Sequence, residues 1–292
     1  MANPPTVHLI DALPYVFRAY FSIPGSMVGP DGAPTGAIFG FANFLLRYVD
    51  GERPTHAAAC FDESLVSSFR NESYPAYKAN RELPPPELAA QLAACQEVAA
   101  ALGFPCFVDE RYEADDLIAT LAAQLPRKTA SIVVATNDKD LAQLVDERTS
   151  IFDAAKDERY DAARVRERFG VHPGQIPDYL GLAGDAVDNI PGVRGVGAKT
   201  AVALLEHYAD LDELYANLDA VADLPLRGAR SIATKLAEHR DLAFLSRELA
   251  TVSTAAPVKA ELADLALRPP DRERCRALFT SLGMKGLAKR FA

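Results

Sequence analysis

Val7-His8-Leu9-Ile10-Asp11 is a short apolar run that ends on an acid, and the chain repeats the phrase as Ala57-Ala58-Ala59-Cys60-Phe61-Asp62 and as Ile132-Val133-Val134-Ala135 ahead of Asn137-Asp138. Runs of this length, rich in β-formers and bounded by polar residues, read as buried strands. Helical patterns lie between and after them, at Ile38 to Val49, Pro86 to Leu102 and Ala114 to Leu125. Strand and helix alternation predicts an α/β fold with a mainly parallel central sheet flanked by helices. Ligands of such sheets gather beyond the carboxyl ends of the strands, which brings Asp11, Asp62 and Asp138 to one edge. From Pro177 onward the strand signals fade, and helical segments with glycine-containing turns take over. The predicted organisation is an α/β domain over residues 1–176 and a helical region over 177–292.

With 292 residues and 49% hydrophobic content, the chain has material for a large core. None of its apolar stretches approaches the ~20 residues that cross a bilayer, and Met1-Ala2-Asn3-Pro4-Pro5 lacks the features of a secretory signal. A cytoplasmic protein without a membrane partner is expected. Cys60, Cys95, Cys106 and Cys275 are scattered without C-x-x-C spacing, which points away from disulfides and zinc. A net charge of −9 argues against a nucleic-acid partner at first sight, but divalent cations held by several carboxylates would cancel that charge locally. Pro84-Pro85-Pro86 ends one segment and starts a helix. Ser64 to Leu83 is thereby left as a long connection of a size that is usually functional or mobile.

Further acids recur along the chain. Glu113-Ala114-Asp115-Asp116 falls at a helix start, where the positive end of the helix dipole tolerates carboxylates; alone it reads first as an ordinary solvated N-terminus. Asp138-Lys139-Asp140 would aim two carboxylates one way if the backbone is still extended, or would mark a capped turn. Asp185 and Asp188 stand three apart, as on a helical turn or in a plain Asp-rich loop. Together Asp11, Asp62, Glu113, Asp115, Asp116, Asp138, Asp140, Asp185 and Asp188 are more like charges than one place would hold without cations. Oxygen donors with no His or Cys companion suit Mg²⁺, with Mn²⁺ as an alternative, and disfavour Zn²⁺. Two such ions about 3.5–4 Å apart clamp the attacking and leaving oxygens of an in-line phosphoryl displacement. Phosphodiester hydrolysis without a side-chain nucleophile fits this set. His8, His56, His172, His207 and His239 show no ligand or triad spacing and receive no role.

Asn189 to Thr200 places Gly192, Gly195 and Gly197 where a tight turn meets a helix N-terminus, whose N–H groups bind phosphate. Lys199 and Thr200 stand beside it. Such a turn grips a nucleic-acid backbone without reading sequence, or serves only as a tight helix–helix connection. The 64–83 connection carries Arg70, Tyr74, Tyr77, Lys78 and Arg81, cations mixed with rings able to stack on unpaired bases. Glu72 and Glu82 dilute it, and a solvated loop with scattered charge is the other reading. Arg18 and Tyr20, shortly after Asp11, admit the same two readings.

The order of these motifs resembles the 5′ nuclease (flap endonuclease) family, and within it most closely the N-terminal 5′→3′ exonuclease domain of bacterial DNA polymerase I. The matching stretches are residues 9–20, 34–40, 54–62, Y-P-A-Y-K-A-N-R at 74–81, E-A-D-D at 113–116, T-N-D-K-D-L-A-Q-L-V at 136–145 and 184–201, so the resemblance covers nearly the whole chain. It implies a PIN-like 5′ nuclease fold followed by a helix-three-turn-helix region. It also implies a structure-selective 5′→3′ exonuclease and flap endonuclease acting on flapped, nicked or gapped DNA in replication and repair, RNA-primer-containing substrates included. Products would carry 5′-phosphates and 3′-hydroxyls. The family's metal ligands fall on the nine acids. Lys78 and Arg81 take the places of the arch residues that contact the scissile phosphate, on an arch of about 64–90, with Arg18 as a further phosphate contact. The turn within about 184–208 would grip duplex DNA and hold a K⁺ through main-chain carbonyls. A monomer is expected.

Ala12 stands where the family usually has Gly, and so does Asn137. Because the chain ends at Ala292, about where the nuclease portion of the polymerase would end, a free-standing paralogue is expected, with a truncated polymerase as the alternative. Met1 just before the first strand and the basic ending Lys285 to Arg290 favour the former. The rival functions are a DNA-junction binding protein without catalysis, which the complete set of acids opposes, and a related metal-dependent ribonuclease, which the duplex-gripping turn opposes.

Overall fold

The computed structural model describes residues 5–64, 67–82, 84–126 and 130–292. The expected chain start at Met1 and, within the expected arch, residues 65–66 and 83 lie outside the described residues. The chain first forms β1 (Thr6–Asp11), α1 (Leu13–Ser22), α2 (Gly36–Glu52), β2 (His56–Asp62), α3 (Arg70–Ser73), α4 (Pro86–Ala101), β3 (Cys106–Asp109), α5 (Ala114–Gln124) and β4 (Ser131–Ala135). Then come β5 (Thr149–Asp153), β6 (Glu158–Tyr160) and α6 (Ala162–Phe169).

The six strands make one sheet in the order β3-β2-β1-β4-β5-β6. Pairing is parallel except between β5 and β6. Successive side chains of β1 enter opposite cores. Val7 and Leu9 pack with Leu117, Leu121 and Val134, while Ile10 packs with Phe41, Leu45 and Phe61. With both faces covered, these strands are continuous apolar runs and not alternating ones, which is why the three apolar phrases are legible in the sequence. The chain moves from β1 outward to β2 and β3, then returns to place β4 on the other side of β1. The carboxyl ends of β1 and β4 thus flank a topological switch point, the usual location for a ligand crevice in open parallel sheets. Asp11 closes β1 and Asp62 closes β2.

Beyond α6 the chain is helical: α7 (Ile176–Ala183), α8 (Ala198–His207), α9 (Leu211–Ala216), α10 (Ala229–Glu238), α11 (Arg240–Ala250), α12 (Arg272–Ser281) and α13 (Lys285–Arg290). Helices α7 to α11 extend the core on the α5 side of the sheet, where Leu182, Leu204, Leu211 and Leu236 are fully buried. The last two helices cross to the opposite side. Cys275, Phe279 and Leu287 pack with residues of α2 and α4, and Leu267 N–H donates to the Thr55 carbonyl (3.0 Å). Among the described residues no helix is long and apolar enough to cross a membrane.

Candidate active site

Five segments meet at the switch point, and each delivers acids by a local device. At the end of β1, Asp11 accepts the Thr136 hydroxyl (2.7 Å). Asp62 accepts the Ala114 N–H (2.9 Å), which ties β2 to the start of α5. The N-terminus of α5 is closed by a capping box between Glu113 and Asp116, so that Glu113, Asp115 and Asp116 share its first turn. After β4 the chain turns through Thr136, whose hydroxyl accepts Asp138 N–H (3.0 Å), and Asp138 in turn accepts Asp140 N–H (2.9 Å). The fifth segment is the loop between α7 and α8, pinched by reciprocal Asp185 and Ile190 backbone bonds of 2.8 and 2.7 Å.

Asp11, Asp62, Glu113, Asp115 and Asp138 line one cleft of about 390 Å³, with Arg18, Lys78 and Arg81 on its walls. A larger groove of about 680 Å³ lies beside α1 and α2 and shares Arg18, but the acids are in the smaller one. Asp140, Asp185 and Asp188 stand beyond Asp138, all three at least nine-tenths buried. Burial and mutual repulsion penalise the charged forms. The Asp11 carboxyl is pushed well above the usual range by burial and by Asp62. Asp115 is raised by burial and by Asp138 and Asp11, and Asp140 by burial and by Asp138. Asp62 rises to about 6 through burial and the Glu113 charge. Asp138 is raised as well, chiefly by burial.

Cations of the chain itself hold several of these carboxylates. Lys78 Nζ bonds Glu113 and approaches Asp188 at 3.8 Å, Arg81 bonds Asp188, and Lys139 pairs with Asp185 at 2.7 Å. Among the described residues no three His, Cys, Asp or Glu side chains are already gathered around a point as an ion would need. The donor chemistry nevertheless fits a hard divalent cation. All the acids offer oxygen, and Asp140 Oδ1 is buried without any hydrogen-bond partner, a cost that a bound cation would remove.

Three expected site residues are turned inward and paired within the chain. Asp116 is fully buried and accepts both arms of the Arg70 guanidinium at 2.8 Å. Arg70, expected to face DNA, is 3% exposed. Tyr77, expected to stack on bases, is also 3% exposed, with its hydroxyl donating to Glu113 (3.1 Å). Local composition marks cations and rings but carries no information about which of them the fold buries. In the glycine turn Gly192 is buried, its N–H donating to Ser246 Oγ (2.9 Å). Gly195, Gly197 and Lys199 are exposed and Thr200 partly so.

The structure adds residues that spacing did not reveal. Thr136 and Lys139 hold Asp11 and Asp185. Asn80 and Asn189 stitch the 74–81 segment to the 185–190 loop through the Ala186 and Ala76 carbonyls, at 2.7 and 2.6 Å. Thr136 was detectable as the hydroxyl between a strand end and an acid. Phe21, 77% exposed at the cleft mouth, is the kind of exposed large apolar side chain that only a fold can single out.

Residues 6–170 match the family described as the 5′-3′ exonuclease, N-terminal resolvase-like domain, and residues 171–273 match the 5′-3′ exonuclease, C-terminal SAM fold. DNA polymerase I of Pseudomonas aeruginosa is 41% identical over 286 residues, covering 98% of this chain and 31% of that protein. DNA polymerase I of Caldicellulosiruptor bescii is 36% identical over 288 residues, covering 97% and 33%. The chain thus spans about a third of the length of these curated relatives. Among solved structures, the T5 5′-exonuclease with bound divalent zinc ions superposes with a TM-score of 0.71 at 18% identity, covering 98% of each chain. The catalytic core of Rad2 in complex with DNA substrate superposes with 0.64 at 13% identity, covering 99% of this chain and 93% of that one.

Proposed function

The chain belongs to the 5′-3′ exonuclease family, and on that premise we propose that it is a divalent-metal-dependent DNA nuclease that cleaves phosphodiester bonds at 5′ flaps, nicks and gaps, 5′→3′, acting as a cytoplasmic monomer. The observation that carries this reading is the convergence, in one cleft at the switch point, of carboxylates from the ends of β1 and β2, the start of α5 and the turn after β4, several of them with raised pKa, facing cations on the opposite wall. In this reading Asp11, Asp62, Glu113, Asp115 and Asp138 hold one ion, and Asp140, Asp185 and Asp188 contribute to a second.

Bound ions of this kind supply positive charge to the attacking and leaving oxygens of an in-line displacement and acidify a water molecule. Mg²⁺ is the favoured ion and Mn²⁺ the alternative, because every donor is oxygen. The chain's own residues do the rest. With Glu113 and Asp188 engaged as ion ligands, Lys78 and Arg81 would be free to donate their N–H groups to the non-bridging oxygens of the scissile phosphate. Arg18 supports a neighbouring phosphate from the far wall. Gly195, Gly197 and Lys199, exposed around the start of α8, and the partly exposed Thr200 hold the duplex backbone, and the carbonyls of that turn accept a K⁺. Because these contacts read backbone and not bases, flaps with RNA at the 5′ end are accepted too.

The test is a 5′-labelled flap substrate incubated with the chain, with and without Mg²⁺, beside Asp115→Asn and Asp188→Asn variants. Cleavage that requires Mg²⁺ is expected, with both variants inactive yet still binding the flap in Ca²⁺. Full activity in either variant removes that residue from the ion site. A wild-type chain that binds the flap and never cuts it is a junction-binding protein instead.

A further inference from the structure

Arg70 uses every donor it has. Its Nε donates to the Leu249 carbonyl (2.9 Å), Nη1 to Glu113 (3.1 Å) and Asp116 (2.8 Å), and Nη2 to Asp116 (2.8 Å) and the Thr251 carbonyl (3.0 Å). A guanidinium has five N–H groups, so none is left for a phosphate. Asp116 is equally saturated. Its Oδ1 accepts Arg70 Nη2 and Ser253 N–H (2.7 Å), and its Oδ2 accepts Arg70 Nη1 and Glu113 N–H (3.1 Å). A carboxylate offers about four lone-pair sites, all taken here, on a side chain with no exposed surface.

Glu113 is what the pair acts on. Its backbone N–H is fixed by Asp116, and its Oε2 by Arg70 and the Tyr77 hydroxyl (3.1 Å), which leaves Oε1 toward Lys78 and the cleft. The other end of Arg70 sits on the last carbonyls of α11, where a cation completes the helix terminus. The same helix carries Ser246, whose hydroxyl holds Gly192 in the glycine turn. A continuous set of bonds therefore runs from that turn through α11 and Arg70 to Glu113.

We infer that Arg70 and Asp116 form a positioning pair that orients Glu113 for a divalent ion and ties it to the end of α11, Asp116 being neither an ion ligand nor Arg70 a DNA contact. The inference rests on the proposed role of Glu113 as an ion ligand. Groups that orient a ligand in this way typically change ion affinity 10–100-fold when removed.

Mn²⁺ binding, measured by calorimetric titration without substrate, tests it in the wild type, Arg70→Lys, Asp116→Asn and the double variant Arg70→Met/Asp116→Leu. The double variant removes both buried charges at similar volume and so avoids stranding one of them; Arg70→Lys keeps the charge and loses the fork. Circular dichroism confirms that each is folded. Expected are an unchanged number of ions, affinity weaker by about 10–100-fold in each variant, and a double variant no worse than the singles, because the pair acts as a unit. Loss of a whole ion in Asp116→Asn with Arg70→Lys unaffected makes Asp116 a ligand and overturns the inference. Undiminished affinity in all variants does the same while leaving the proposed function standing. A wild type that binds no Mn²⁺ overturns both.

Discussion

Lys78 takes a positive φ of 55° that few non-glycine residues adopt, held by its N–H on the Asp188 carbonyl (3.0 Å). Its ammonium group is buried against Glu113 and Asp188. Burial works against the charge, but those two carboxylates outweigh it and keep the pKa above the usual lysine value. A cation kept charged in a sheltered cleft and bonded only to prospective ion ligands is poised to move onto a phosphate. Lys78→Ala should therefore slow single-turnover cleavage by about 10²–10³, the range for losing one preorganised donor, while flap affinity in Ca²⁺ falls by less than about tenfold. Equal losses in rate and affinity would reduce Lys78 to a binding residue. Its neighbours show where reading residues from the sequence reaches its limit. Lys78, Arg70 and Tyr77 are indistinguishable as members of a cationic, aromatic segment, yet Arg70 and Tyr77 are turned inward. The partners that decide this for Arg70 (Asp116, Thr251 and Leu249) are 46 to 181 residues away, and Glu113, which holds Tyr77, is 36 away.

At the level of elements, legibility followed length and burial. Strands β1, β2 and β4 were readable because both faces are covered, so their apolar runs are unbroken. Strands β3, β5 and β6 were not; β5 is largely buried, but its sequence Thr149-Ser150-Ile151-Phe152-Asp153 holds only two apolar residues. Cys106–Asp109 has no fully buried residue, and Glu158–Tyr160 is a three-residue edge strand carrying charge. The glycine turn was readable as a turn but not in its inner division of labour. Gly192 has φ +62°, and a Cβ there would meet Gly184 N at 2.3 Å, whereas a Cβ on Gly197 would meet nothing within 4 Å. Two identical substitutions should then separate cleanly. Gly192→Ala forces a left-handed alanine, at a cost of about 1–2 kcal/mol before the backbone clash is counted, and should lower the melting temperature and weaken flap binding together. Gly197→Ala should leave the melting temperature within about 1 °C, since surface changes without strain stay near ±0.5 kcal/mol. Comparable melting temperatures for both variants would show that the 184–192 backbone contact does not constrain the turn.

Across the whole molecule, acids crowded at the switch point make stability depend on pH and cations together. Asp62, at about 6, and Asp11, Asp115, Asp138 and Asp140, all raised, have folded pKa values above their unfolded ones. In the ion-free chain the folded state therefore binds more protons than the unfolded one, and the stability linked to these groups is fully present below about pH 4 and lost as the pH rises through their folded values. Buried His8 runs oppositely. Its pKa is lowered to about 4, chiefly by burial, so its contribution is complete above the unfolded value and lost as the pH falls toward 4. Comparing melts with and without Mg²⁺ at one fixed pH cancels His8, which is bonded to Tyr48 (2.8 Å) and does not line the cleft. The increment from Mg²⁺ should be small at pH 5, where protons compete for the carboxylates, and large at pH 8, where only cations relieve their repulsion. At a hundredfold excess over its Kd an ion adds about 2.7 kcal/mol, on the order of 5 °C for a chain this long. Calorimetric scans at the two pH values decide it: equal increments at pH 5 and pH 8 would mean that the buried acids do not form the ion site, and Asp62→Asn, which removes one of the competing protons, should narrow the difference between them.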